Sequence, residues 1–301
     1  MTTPRELKEL YNNGVNITEL LRKEQQLECN TDKIIEVAYD LQTGSYIAAL
    51  DRPEMAAYME KYTEEIVKTL SLLGTPVSIL EAGVGEATTL AGVMQKLGSG
   101  VAGYGFDLSW SRVAFGKRWL DKKGLSDVTL CTGNLFQIPF ADNSIDIVYT
   151  SHSIEPNGGN EMSILKELYR VAGRYLVLLE PGYELAGEEA KRRMERHGYC
   201  KNLKGIAETL GYQVVDHMLF PVTANPQNPT AITIIRKASQ FKRSSNVLVC
   251  PQFKTSLSEK GGMLFSTEAL VVYPIIAGIP CLRVENGVFA SKYCDVLEEG
   301  E

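Results

Sequence analysis

The sequence predicts a doubly wound α/β domain built on a mostly parallel seven-stranded sheet. Three observations carry this expectation. From Val77 to Val177, short apolar runs alternate with amphipathic stretches of helical period, which implies parallel strands joined by crossover helices. The first two runs end on carboxylates, Glu81 and Asp107, at the strand ends where open α/β sheets bind ligands. Two glycines, Gly83 and Gly85, follow the first run and precede a helix.

The elements are expected in this order. Residues 1–70 read as amphipathic helices forming a lid, with Thr31-Asp32 as a helix start and a helix from Glu54 to Leu70. Strands follow at Val77–Leu80, Val101–Phe106, Val128–Cys131, Ser144–Thr150 and Arg174–Leu179. Helices are expected at Thr88–Leu97, Ser111–Lys122 and Met162–Val171. After two further helical stretches, Glu188–Tyr199 and Asn202–Leu210, strands at Tyr212–Leu219 and Ala231–Arg236 can join as a hairpin. Residues 71–238 therefore make the α/β domain and 239–246 a polar linker. Residues 247–301 make a β-rich unit too small for a large core of its own.

Composition narrows the function classes. The formal charge is −6, without the basic surplus usual in nucleic-acid binders, so nucleic acid is not an expected partner. No apolar run approaches the roughly 20 residues of a membrane span, and Met1–Leu10 lacks an apolar leader core; a cytoplasmic chain is expected. The six cysteines are scattered with no CxxC pair, which favours reduced thiols over disulfides or a metal site. Homodimer or monomer is left open.

A strand-to-helix turn with glycines brings backbone N–H groups close to a ligand. Asp107 at the next strand end can accept both hydroxyls of a ribose. Nicotinamide-binding folds use the same pair of features, so these alone do not choose a cofactor. Longer motifs do. Ile79–Gly85, Gly105–Ser109, Gly133–Leu135 with Ile138–Val148, and Leu165–Val171 resemble, in order and spacing, the class I S-adenosylmethionine (SAM)-dependent methyltransferases of the small-molecule type. The resemblance covers about Val77 to Val177 and implies a Rossmann-like fold and SAM as cofactor. It implies that Glu81, Gly83 and Gly85 form the methionyl loop and that Asp107 holds the ribose. Leu108, Asn134 and Leu135 would frame the adenine, with Thr150 and Ser151 beside the sulfonium and Tyr46 in a lid over it. Three positions depart from the family pattern: Ala87 replaces a glycine, Asn134 an acid, and Pro156 a histidine.

Methyl transfer needs alignment and, for a hydroxyl or amine acceptor, often a base. Candidates at the ends of the fourth and fifth strands are His152, Glu155 and Glu180, with Tyr183 nearby. His152 has the ordinary pKa best suited to a base near neutrality. Arg192 and Arg196 share one helix face and are expected, with Tyr183, to grip an anionic or sugar-bearing acceptor. The alternative is a solvated face paired to Glu188 and Glu189.

Val249–Phe253 and Tyr273–Pro280 resemble the small zinc-ribbon-like activating subunits of tRNA, rRNA and protein methyltransferases. The usual second cysteine is Phe253 here, so the expectation is a metal-free version that covers apolar surface in cis. Three readings stay open: a small-molecule or sugar methyltransferase, an RNA or protein methyltransferase with a fused activator, and a non-catalytic scaffold.

Overall fold

The structure, a computed structural model, describes residues 2–238, 241 and 246–298. Helices α1 (Pro4–Asn12), α2 (Ile17–Gln25), α3 (Asp32–Leu41), α4 (Ser45–Ala49) and α5 (Pro53–Leu72) come first. Side-chain caps start three of them: Thr3 forms a capping box with Glu6, Asn16 accepts from the Glu19 N–H, and Thr31 accepts from the Ile34 N–H. Helices α1–α3 bury a small cluster of their own, made by Leu7, Ile17, Leu21, Ile34 and Ala38.

The α/β domain runs β1 (Ser78–Ala82), α6 (Thr88–Leu97), β2 (Ala102–Asp107), α7 (Trp110–Lys122), β3 (Thr129–Thr132), β4 (Ile145–Ser151), α8 (Glu161–Val171) and β5 (Ala172–Pro181). It closes with α9 (Glu188–His197), α10 (Leu203–Thr209), β6 (Gln213–Leu219) and β7 (Thr230–Arg236). The seven-stranded sheet has the order β3-β2-β1-β4-β5-β7-β6. Its first five strands are parallel, while β7 lies antiparallel between β5 and β6 and completes the expected hairpin. Every residue of β1 is buried, as a strand covered on both faces requires. The order reverses between β1 and its neighbours β2 and β4, which opens a crevice at their carboxyl ends.

The last unit holds β8 (Ser258–Lys260), β9 (Met263–Ser266), β10 (Val271–Tyr273), β11 (Ile275–Ile276), β12 (Ile279–Pro280), β13 (Val288–Phe289) and α11 (Tyr293–Glu298). It sits on the free edge of β3, where the Leu282 N–H donates to the Thr132 carbonyl at 3.2 Å. Ala141 N–H to Val247 O (2.9 Å) and Val249 N–H to Pro139 O (3.1 Å) continue the seam. Val247, Cys250, Leu257, Tyr273 and Leu282 join the same apolar cluster as Phe106, Cys131 and Phe140. The small unit thus borrows the core of the large one. The expected linker at 239–246 lies outside the described residues except for positions 241 and 246. No described helix is long and apolar enough to cross a membrane.

Candidate active site

Three loops at the strand ends converge on one cavity. Its wall includes Glu81, Gly83, Gly85, Asp107, Leu108, Asn134, Leu135, Ser151, His152 and Glu155, with Tyr39 and Tyr46 from the lid. Two glycines make the first loop possible. Gly83 (φ +75°) and Gly85 (φ +52°) are left-handed, and an added Cβ would stand 2.2 Å from Ser153 Cβ and 2.6 Å from Arg112 Nη2, respectively. Gly83 and Val84 donate N–H bonds of 2.9 and 2.8 Å to the Phe106 carbonyl. Ala87 is also left-handed, at φ 55°, so the missing third glycine is replaced at a position where glycine would be less strained.

Asp107 is both a loop brace and a cavity group. Its Oδ2 accepts from the Gly85 N–H and its Oδ1 from the Ser109 N–H, each at 2.9 Å. Each oxygen keeps a further lone pair. Glu81 accepts from the Tyr149 hydroxyl at 2.7 Å. Burial pushes its pKa up to about 8, against the pull of that hydrogen bond, so it is mostly neutral at pH 7.

The lid is tied to these loops by side chains on both sides. Glu86 Oε1 accepts from the Gly44 N–H and Oε2 from the Ile47 N–H, both at 2.9 Å. This carboxylate thereby caps α4, which has no cap of its own. Asp40 accepts from the hydroxyls of Ser109 (2.7 Å) and Ser111 (3.1 Å). Asn134 donates to Asp32 Oδ2 at 2.6 Å and accepts the Phe136 N–H at 2.9 Å. The side chain expected to meet adenine alone is therefore paired with an acid from α3, and Asp32 also lines the cavity.

Arg112 is the residue that sequence reasoning missed. It is buried, lines the cavity and lies over the rings of Tyr39 (5.3 Å) and Tyr46 (4.8 Å). Its Nε has no hydrogen-bond partner. A signal was present: Arg112 shares the buried face of α7 with Val113, Gly116 and Leu120, and a cation in such a stripe asks for a partner.

At the end of β4, His152 has φ 55°. Its Nδ1 lies 2.5 Å from Glu155 Oε2 and its Nε2 2.8 Å from Thr230 Oγ1. Burial disfavours the imidazolium, but the hydrogen bond and charge of Glu155 outweigh it and raise the His152 pKa. Burial likewise opposes the Glu155 carboxylate, yet the bond to His152 and its charge hold the Glu155 pKa below the usual range. The two form an ion pair with both ring nitrogens engaged.

Other expected site residues stand elsewhere. Glu180 is not in the cavity wall. Its carboxylate accepts from the N–H groups of Ser153, Ile154 and Glu155 at 3.0–3.1 Å, and burial pushes its pKa to about 7. Through these bonds it braces the loop that carries His152. Thr150 is fully buried behind the wall, whereas Ser151 lines the cavity and shares a 2.9 Å hydrogen bond with the Tyr62 hydroxyl. Tyr183 donates to Glu195 at 2.5 Å outside the cavity. Arg192 and Arg196 are solvent-exposed on α9, because Ala190 and Met194 take the inward face. Neither of these two arginines lines the cavity.

Among the described residues, no group of three or more His, Cys, Asp or Glu side chains is placed to hold a metal. Cys250 is buried, its sulfur 3.7 Å from the Tyr273 hydroxyl.

Residues 79–173 match the family model of a methyltransferase domain. The demethylmenaquinone methyltransferase of Anoxybacillus flavithermus is 33% identical over 103 residues, 34% of this chain and 43% of that protein. The enzyme of the same name from Geobacillus kaustophilus is 30% identical over 122 residues, 40% of this chain and 51% of that protein. The chain thus spans about half or less of the length of these curated relatives. Magnesium protoporphyrin IX methyltransferase from Synechocystis, solved with bound S-adenosylhomocysteine, superposes with a TM-score of 0.53 at 14% identity, covering 69% of this chain and 100% of that one. A chain from the Haloferax volcanii complex of the Trm112 methyltransferase activator with a methyltransferase gives a TM-score of 0.50 at 15% identity, covering 66% and 96%. The fold is the Rossmann-like methyltransferase fold, and the stretch that matches the methyltransferase-domain model, residues 79–173, lies within its sheet and helices.

Proposed function

We propose that the protein is a SAM-dependent methyltransferase that acts on an oxygen or nitrogen of a small metabolite or of a nucleotide-linked or glycan sugar. The observation that carries this reading is the single cavity on which the glycine loop, Asp107 and the Asn134 loop converge, within the stretch that matches a methyltransferase domain.

The residues present fit the cofactor on three counts. Gly83 and Gly85 leave a cradle that a Cβ would fill. Asp107 retains lone pairs toward the cavity. Arg112 offers a buried, unpartnered Nε beside Gly85. Asp107 would hold the ribose hydroxyls and Arg112 the methionyl carboxylate, a charge-assisted pairing. Leu108 and Leu135 would flank the adenine, with the Asp32–Asn134 pair meeting its amino group. Bound there, SAM supplies a methyl group on a sulfonium. The protein's own work is alignment, exclusion of water by Tyr39 and Tyr46, and a place for the acceptor's proton. His152 and Glu155 form the wall suited to that last task, with Glu180 fixing their loop through its amides. The C-terminal unit, similar in motif to methyltransferase activators, would act by sealing the β3 edge.

Calorimetric titration with S-adenosylhomocysteine tests the cofactor assignment. Asp107→Ala removes two charge-assisted hydrogen bonds, roughly 1.5–3 kcal/mol each, so affinity should fall at least about tenfold. A folded variant binding as tightly as wild type would sink the ribose assignment.

A further inference from the structure

A second set of buried polar groups gathers beyond the cavity wall, where the lid meets the insertion after β5. Residues 155–157 line the cavity. Behind them, the Cys200 N–H donates to the Glu155 carbonyl at 3.0 Å, and Asn30 Nδ2 donates to the Pro156 carbonyl at 2.9 Å. Arg193 from α9 lies over the Tyr199 ring at 5.7 Å. Arg22 from α2 reaches the same corner, its Nη1 3.5 Å from the point a Gly198 Cβ would occupy.

Each of these half-buried arginines keeps one guanidinium nitrogen unspent, while Arg193 also bonds the Tyr199 side chain. Arg22 Nε and Arg193 Nη1 are buried without a hydrogen-bond partner, and so is Asn30 Oδ1. Among the described residues, no carboxylate lies within ion-pair distance of either arginine. The nearby acids have partners of their own: Glu155 bonds His152 and Asn228 and meets Arg193 only through the shared Tyr199 side chain, Glu189 bonds Gln227, and Glu195 bonds Tyr183. The local field is positive enough that, together with burial, Arg193, Arg196 and Arg22 push the His197 pKa down. Two buried guanidinium nitrogens without partners, on arginines from separate elements that have no carboxylate in ion-pair distance, are costly unless an acceptor completes them, and an anion would satisfy both. Arginine suits planar, two-pronged recognition of carboxylate or phosphate.

We propose that Arg22 and Arg193 form a subsite for an oxyanion group of the methyl acceptor, a carboxylate or a phosphate, so that the substrate is an anion gripped jointly by the lid and the α9 insertion. This rests on the methyltransferase reading and deepens it. It also moves the expected cationic grip from the exposed Arg192 and Arg196 to the half-buried Arg193.

The test uses the full chain saturated with S-adenosylhomocysteine in low-salt buffer. Inorganic phosphate and succinate are titrated separately, with binding read by calorimetry and thermal shift. At least one should bind saturably, and the tighter of the two names the group. Arg22→Met and Arg193→Met keep the packing of the stem and should each weaken that anion at least about tenfold. Arg196→Met should leave it unchanged, and S-adenosylhomocysteine affinity should be unaltered in all three. Wild type that binds S-adenosylhomocysteine but neither anion up to about 50 mM overturns the subsite, as does anion binding indifferent to both variants. Failure of wild type to bind S-adenosylhomocysteine overturns the methyltransferase reading instead, and with it the assignment of the anion to an acceptor.

Discussion

His152 shows how much a single residue's role depends on its partners. Read on position alone it is a base; in the fold it is half of an ion pair with a second nitrogen on Thr230. A protonated ring with both N–H groups donated has no lone pair to offer, so proton acceptance requires the imidazolium to be discharged first. The raised pKa places that step above the ordinary histidine value of 6.5. The sign for stability follows by linkage. The histidine's contribution is full below 6.5 and is lost as pH rises through its raised folded value. The Glu155 contribution is full above 4.5 and is lost as pH falls through its lowered folded value. The stability gap between wild type and His152→Gln should therefore be widest from pH 4.5 to 6.5 and narrow on either side, as measured by thermal melts across pH. If the histidine also accepts the acceptor's proton, the variant should lose roughly 10²–10⁴-fold in kcat. Turnover that is unchanged would leave it a structural ion pair.

At the scale of elements, α5 packs Tyr62, Ile66 and Leu70 into the core of the α/β domain, whereas α3 and α4 are tied to it by hydrogen bonds. Helix α4 is only five residues long and starts at Gly44 without a side-chain cap. A helix that short has little stability of its own. Glu86, from the loop that precedes α6, supplies the missing acceptors, and α3 is fastened by Asp40 to the start of α7 and by Asp32 to Asn134. Glu86→Ala should undock α4 at a cost of about 1–2 kcal/mol, the range of a lost cap. Tyr46, which rides on α4, would move with it. Limited proteolysis should then cut near residues 44–50 faster than in wild type, and S-adenosylhomocysteine should dissociate more quickly. Unchanged cleavage would mean that α4 stays docked without the Glu86 bonds.

At the scale of the whole molecule, the C-terminal unit and the α/β domain share one core. Strand β3 is a sheet edge, and an uncovered edge is a template for aggregation. The small unit pairs with it and places Leu257, Tyr273 and Leu282 against Phe106 and Phe140. Arg283 extends the contact to the cofactor side, bonding the Leu108 carbonyl at 3.1 Å and pairing with Glu36 of α3 at 2.7 Å. A chain ending at Asn246 should therefore aggregate, or melt at least about 10 °C lower, in light scattering and thermal denaturation. A soluble fragment melting with the intact protein would show that the α/β domain is complete without its partner.

The strand and helix order from Val77 to Val177 was legible in the sequence because it rests on local patterns, apolar runs against helical period, and on turn residues such as Gly83 and Gly85. Asp107 was legible for the same reason: it closes a strand. What only the tertiary structure decided are pairings between distant parts of the chain. Glu86 meets Gly44 across 42 residues, Arg283 meets Glu36 across 247, and Glu180 turns from the cavity to three amides of the neighbouring loop. That Arg193 is half-buried while Arg192 and Arg196 are exposed was of this kind, since charge spacing along a helix does not say which face packs. The physical reason is that a side chain's role is set by which buried donors and acceptors it must satisfy, and those come together only when the chain closes on itself.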